Sequence, residues 1–210
     1  MIVRTTSRIY SFILNYNIGI LACLILAASV NYYFNAERIR AITKPNNPDA
    51  FADGDIVLIK AAIDGDELLI EKDGVQTNLR ILGIKSFNPS LSDPLLTEYG
   101  QVCFQYLQTN IKNKNARLKI SAKGVGDEGR LLGTIFTNDL AGEYSIDLGK
   151  DLISKGYSMV YTRYDFELMP EYLQAEEKAK VASAGFWGNE QITARADSMK
   201  KIWEEEKLID

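Results

Sequence analysis

The sequence predicts an α+β domain, a five-stranded β-barrel with packed helices, preceded by one apolar N-terminal helix. Three observations carry that prediction. A charge-free run lies near the start of the chain, from Ile9 to Phe34. Three strand-like runs joined by tight turns come next, then a helix-spaced run, then two more strand-like runs. The chain finishes in helix-spaced, charged segments punctuated by Pro and Gly.

The apolar run comes first. Residues 1–36 hold no Asp or Glu, and Arg4 and Arg8 are their only charged side chains. A bilayer core takes about 20 mostly apolar helical residues. The 26 residues from Ile9 to Phe34 suffice. Tyr10 and Tyr16 on one side, and Tyr32, Tyr33 and Phe34 on the other, are spaced like interfacial aromatic belts. Asn15, Asn17 and Asn31 are costly in lipid, which places them near the ends or against a partner helix. Competing readings are a cleaved signal peptide, with Ala27 and Ala28 near the cut, and a buried globular helix. The expectation is a single-pass transmembrane helix within residues 1–36. A linker over 37–54 follows, marked by Asn46-Asn47-Pro48-Asp49. Arg4 and Arg8 before the span stand against Arg38, Arg40 and Lys44 after it. By that margin of one residue, the positive-inside rule sets the rest of the chain on the inner side. The acid-free, Arg-bearing start also suits mitochondrial import. The expected location is the inner membrane of a mitochondrion or a bacterium.

The barrel is expected over residues 55–190. Ile56 to Ile63 reads as a buried strand, ended by the turn chemistry of Asp64-Gly65-Asp66. Glu67 to Lys72 and Val75 to Ile84 flank Asp73-Gly74, the strongest hairpin signal in the chain. Residues 86–94 hold two prolines and three serines and read as a loop. Leu95 to Ile111 has helical spacing, with Val102, Cys103, Tyr106 and Leu107 on one face. Arg117 to Ser121 and Leu131 to Thr137 are the fourth and fifth strands, with Gly124, Gly126 and Gly129 between them. Asp147 can cap a helix from Leu148 to Lys155 that Gly156 ends. Met169-Pro170 opens a helix reaching Ala184, and Gly185 stops it. Phe186-Trp187 offers an apolar anchor, and residues 191–210 read as a last charged helix. Three strands, a helix, two strands and then helices is the order of a five-stranded OB-type barrel.

Composition narrows the chemistry. The 210 residues include no histidine and two cysteines. Nucleophile pairs with an imidazole base are excluded, and so is a Cys/His zinc site. Carboxylates, arginines, lysines or a hard metal ion remain. Residues 50–190 hold fifteen Lys/Arg against twenty-one Asp/Glu, a net of -6. A domain this acidic is a poor generic binder of nucleic acid phosphates.

Seven short stretches then form a succession. They are Ile63-Asp64-Gly65-Asp66-Glu67, Leu79-Arg80-Ile81-Leu82-Gly83-Ile84, Glu98-Tyr99-Gly100, Gly129-Arg130-Leu131-Leu132-Gly133, Leu152-Ile153-Ser154-Lys155-Gly156-Tyr157, Tyr172-Leu173 with Ala175 to Lys180, and Gly185-Phe186-Trp187-Gly188. Together, over about residues 55–188, this order resembles the staphylococcal nuclease family. The resemblance implies the OB barrel and calcium-dependent phosphodiester cleavage. By that resemblance Asp66 falls on a metal-binding aspartate, and Arg80 and Arg130 on the two arginines that neutralise the phosphoryl oxygens.

The departures are as specific. Lys85 stands where the resemblance implies a metal-binding acid, and Asn88 where it implies the general base. Losing a general base typically forfeits about 10²–10⁴ in rate. Glu128 stands where the family has an aromatic beside its second arginine. The expectation is a membrane-anchored domain that has lost catalysis. It would serve as an interaction module or an accessory subunit of a membrane complex, with no cofactor and no nucleic acid partner. An active nuclease needing calcium, with Asp93 or Glu98 replacing the base, is the alternative, and a noncatalytic binder of single-stranded nucleic acid is a third. Bland readings stand beside these. Asp64-Gly65-Asp66 can be a turn, Arg80 a structural partner of Asp66 or Glu67, Arg130 a solvated strand residue, and the tyrosines Tyr157, Tyr161 and Tyr164 a cover for the barrel.

Overall fold

A computed structural model describes residues 18–29, 32, 47–89, 93–126 and 129–207. The chain divides into two compact units, residues 1–40 and 41–210. In the first, residues 18–29 form a helix, α1, with all its side chains exposed. Among the described residues no helix is long and apolar enough to cross a membrane. The remainder of the expected span, apart from Tyr32, lies outside the described residues.

In the second unit, β1 (Ile56–Ala62), β2 (Glu67–Lys72) and β3 (Val75–Ile81) form an antiparallel meander. Asp73 and Gly74 both take positive φ, 51° and 79°, as the twist of a two-residue hairpin turn requires. The sequence predicts one strand from Val75 to Ile84; the chain instead breaks after Ile81. The Leu82 N–H donates to the Gly133 carbonyl, and Gly83 turns at φ 77°. Ile84–Lys85 then makes a separate short strand, β4. That turn brings Lys85 back alongside Asp66.

The helix α2 (Pro94–Asn110) begins on Asp93, whose carboxylate accepts the N–H groups of Leu95 and Leu96. Its buried face is Leu96, Gly100, Cys103 and Leu107. Val102, expected on that face, is 39% exposed. It is adjacent to Cys103 and so lies about 100° round a helix of 3.6 residues per turn. β5 (Asn115–Val125) runs antiparallel to β1 and to β6 (Leu131–Asn138). β6 also pairs in parallel with β3, Leu79 opposite Leu131. That last pairing closes the five-stranded barrel. Closure leaves no unpaired edge among β1, β2, β3, β5 and β6.

β7 (Tyr144–Asp147) extends the sheet beyond β6. α3 (Leu148–Ser154) follows, capped by the Asp147 carboxylate on the Lys150 N–H. β8 (Met159–Val160) pairs with β4. The sequence predicts neither β7 nor β8, because strands of four and two residues show no period. α4 (Met169–Val181) and α5 (Glu190–Lys207) complete the unit.

Ile59, Leu68, Ile70, Leu79, Leu118 and Ile135 fill the barrel with essentially no exposed surface. Each such side chain contributes about 1.5–3 kcal/mol when fully buried. A second cluster gathers Phe87, Phe186, Trp187, Ile192, Ala196 and Trp203, so α5 packs beside the barrel through three of its residues. Phe186-Trp187 is the predicted anchor, with both rings buried. Gly156 is needed for this packing: a Cβ there would lie 1.9 Å from the Ala184 carbonyl oxygen. The Gly156 carbonyl in turn accepts the Phe186 N–H at 3.0 Å.

Candidate functional site

The turn between β1 and β2 sets Asp66. The Asp64 carboxylate accepts the Asp66 N–H at 3.0 Å, an Asx turn of the kind the Asp-Gly-Asp sequence predicts. Asp66 is 1% exposed, so its carboxylate must be compensated within the protein. Arg80, on β3, pairs with Asp66 Oδ1. The Lys85 Nζ lies 3.4 Å from Oδ2, and the Ser86 N–H donates to the same oxygen at 3.0 Å. Burial raises the pKa of Asp66, but Arg80 and then Lys85 outweigh it and hold the carboxyl below the usual carboxylate range. Burial pushes Asp64 the other way, up to about 7, and the charge of Asp66 beside it adds to that.

Arg80 and Arg130 approach through the barrel's register. Glu67 opposes Arg80 across β2 and β3, and Leu131 on β6 opposes Leu79 on β3. Arg130, the residue before β6, therefore arrives at the same end of the barrel. It is not a solvated strand residue: its Nη1 lies 2.8 Å from Glu67 Oε2, and Glu67 is buried. Arg80 donates its second arm to the Ile84 carbonyl at 3.2 Å.

Arg80, Lys85, Asn88 and Arg130 share the lining of one cleft of about 1140 Å³. Arg80 is thus both the structural partner of Asp66 and a cleft residue. The cleft reaches from the turn after β3 across β5 and β6 to residues 161–168 and α5. Six cationic side chains line it, Arg80, Lys85, Lys119, Lys123, Arg130 and Arg163, against the three carboxylates Asp64, Asp165 and Glu167. Most of these cations have an acid at hand: Arg80 and Lys85 share Asp66, Arg130 has Glu67, Lys119 has Glu167 and Arg163 has Glu206. The sequence expectation missed Lys119, Lys123 and Arg163, since their convergence depends on barrel closure. Alternation along β5, with Lys119 between the buried Leu118 and half-buried Ile120, was the available signal for the first.

One wall is aromatic. Tyr161 packs edge-on against Trp203 with ring centroids 4.8 Å apart, as expected of a tyrosine that covers the fold. Tyr164 is 54% exposed beside it. Arg163 pairs with Glu206 at 3.2 Å, and Lys207 pairs with Asp165, so α5 is tied to the rim. Asp93 and Glu98, the alternative acids, do not line the cleft: Asp93 caps α2, and Glu98 is exposed on it. Glu128 lies outside the described residues.

Calcium is the metal that the sequence resemblance implies. It takes about 6–8 oxygen ligands. Here both oxygens of Asp66 already face cationic or N–H donors. Among the described residues no three acids gather as they would around an ion. The residues as they stand do not fit the metal.

Residues 78–189 match the family described as staphylococcal nuclease homologue. The chain belongs to this family. The match contains Arg80, Lys85, Asn88 and Arg130; Asp64, Asp66 and Glu67 precede it, and α5 lies beyond it. Among similar proteins is an uncharacterised protein of Methanocaldococcus jannaschii, 28% identical over 166 residues, which are 68% of this chain and 77% of that one. A thermonuclease of Staphylococcus intermedius is 23% identical, over 64% of this chain and 77% of the enzyme. A thermonuclease of Staphylococcus hyicus is 22% identical, over 60% and 72%. The family identity accounts for the closed five-stranded barrel and the helices packed on it.

Proposed function

We propose that this chain is a membrane-anchored member of the family that no longer hydrolyses phosphodiesters and works as an interaction module or accessory subunit of a membrane complex. The observation that carries the reading is the enclosure of Asp66 by Arg80, Lys85 and the Ser86 N–H. A carboxylate so enclosed has no oxygen left to organise a divalent cation. Asn88 adds to this, because an amide has no useful basicity, and Arg130 is drawn onto Glu67. The anchor is supported by the charge-free run from Ile9 to Phe34 and by the exposed Leu21, Leu24, Ile25 and Leu26 on α1. An apolar surface of that kind needs a bilayer or a partner helix against it.

The test uses the full chain in mild detergent with calcium and single-stranded DNA. The DNA is expected to stay intact. Cleavage that disappears in Arg80→Ala would establish the second reading, an active nuclease, which the retained arginines and the thermonuclease relatives favour. Alkaline extraction is expected to leave the chain in the membrane pellet, and release into the supernatant would remove the anchor. Affinity purification in the same detergent is expected to recover stoichiometric partner subunits. Recovery as a free monomer would remove the accessory-subunit role.

A further inference from the structure

Lys85 owes its place on Asp66 to β4, a strand of two residues that forms a two-stranded sheet with the two residues of β8. A ladder that short is not stable alone and depends on what packs against it. Two contacts on β8 and the residue after it lead to α5. The Val160 N–H donates at 2.8 Å to the Glu176 carboxylate, which is buried and is paired by Lys200 of α5. The Tyr161 N–H donates to the Gly83 carbonyl at 2.9 Å, just before β4, and the Tyr161 ring packs edge-on against Trp203 of α5. We propose that α5 is a strap, releasable by salt, that holds β4 in place and with it the seat of Lys85 on Asp66.

The proposal goes beyond the proposed function and does not depend on it: the enclosure of Asp66 is traced to a helix outside the residues matched to the family. α5 is lightly anchored. Its buried residues are Ile192, Ala196 and Trp203. Around them lie ion pairs with exposed members: Lys180 with Asp197 at 2.9 Å, Arg163 with Glu206 at 3.2 Å, and Lys207 with Asp165. Exposed pairs of this kind are weak and are screened by salt, whereas the buried Arg80–Asp66 pair in the barrel is screened much less. An element held this way opens locally at less cost than the whole domain unfolds. When α5 lifts, Trp203 leaves the Tyr161 ring and Lys200 leaves Glu176. The β4–β8 pair then loses its cover, and Lys85 loses the strand that sets it on Asp66. Met199 and Trp203 also line the cleft, so its α5 wall goes with them. Docked, α5 keeps Asp66 covered; lifted, it uncovers one oxygen of that carboxylate.

The experiment follows amide hydrogen exchange of the full chain in mild detergent between about 0.01 M and about 1 M NaCl, over which the screening length falls from about 30 Å to about 3 Å. Exchange in α5 over residues 199–207 is expected to rise by about fivefold or more as the exposed pairs are screened. The Val160, Tyr161 and Ser86 N–H groups are expected to rise with it, since they report on β8, on the turn before β4 and on the Asp66 carboxylate. The β2–β3 ladder is expected to keep its rates. Trp203→Ala is expected to give the same fast exchange already at low salt, and Trp203→Phe to restore most of the protection. Fast exchange in α5 with Ser86, Val160 and Tyr161 at their low-salt rates overturns the proposal, because α5 then lifts without moving β4. Equal acceleration of the β2–β3 ladder overturns it too, because α5 is then only one part of global unfolding. Rates in α5 that do not respond to salt also overturn it. The salt series uses the parent chain alone and decides the matter even where Trp203→Ala does not fold. None of these readouts involves hydrolysis or a membrane complex, so failure here leaves the proposed function standing.

Discussion

The Arg130 guanidinium lies 2.8 Å from Glu67 Oε2, and the two residues are joined only because β6 closes the barrel beside β3. The β2–β3 pairing holds Arg80 against Asp66. Arg80 and Arg130 thus each have a buried acid behind them. The two pairs bind the ends of β2, β3 and β6 together.

The Arg80–Asp66 pair is a stability element. Arg80→Ala leaves Asp66, 1% exposed, with Lys85 and one N–H as its remaining partners. Breaking a buried pair costs about 3–5 kcal/mol. Urea unfolding should show that loss as a lower midpoint with an unchanged slope. The double variant Arg80→Met with Asp66→Asn should cost less than the sum of its singles, since each single strands one charge of the pair and the double removes both.

Asp64 makes stability depend on pH. Its pKa in the folded protein is pushed up to about 7 from 3.8, by burial first and by Asp66 second. Between those values the folded state holds a proton that the unfolded state has released. Stability from this group therefore falls as pH rises from about 4 to about 7, and is level above that. Asp64→Asn keeps the acceptor for the Asp66 N–H and removes the ionisation. Its melting temperature, relative to the parent, should rise more at pH 8 than at pH 5, by about 3 °C or more. An equal shift at both pH values would contradict the assignment.

Restoring acids should restore metal binding. Lys85→Asp with Asn88→Glu removes the tethered cation and supplies two carboxylates beside Asp66. Calorimetry should then detect calcium where the parent gives no comparable heat. A parent that binds calcium as tightly as the variant would refute the account of Lys85.

Cys103 should be slow to react. It is buried against the Gly65 carbonyl and Ser158, and burial pushes its pKa up to about 12. A thiol reagent should label Cys103 slowly in the native chain and readily in urea, with protection of about a hundredfold or more. Rapid labelling of Cys103 in the native chain would mean that α2 does not seal the β1–β2 turn.

Legibility from sequence followed the range of the forces involved. Asp73-Gly74, the Asp147 cap and the stop at Gly156 are local, and all three stand where the sequence predicts them. The buried face of α2 was only half right, because Val102 and Cys103 are neighbours and the choice between them belongs to what packs on the helix. The break after Ile81 had no local signal stronger than Gly83, and the pairing of Ile84–Lys85 with β8 needed both strands to be in place.

By itself the sequence determined the barrel order, the family, and the absence of imidazole chemistry, because residue types, turn signals and spacing are properties of one dimension. It also marked Asp66, Arg80 and Arg130, and Lys85 and Asn88 as departures. Tertiary structure decided what those residues do to one another. The pairing of β3 with β2 and β6, and the turn after β3, bring charges far apart in the chain within about 4 Å, where low-dielectric surroundings strengthen their attraction. That is why Lys85 rests on Asp66, why Arg130 rests on Glu67, and why the cations lining the cleft stand against acids set behind them.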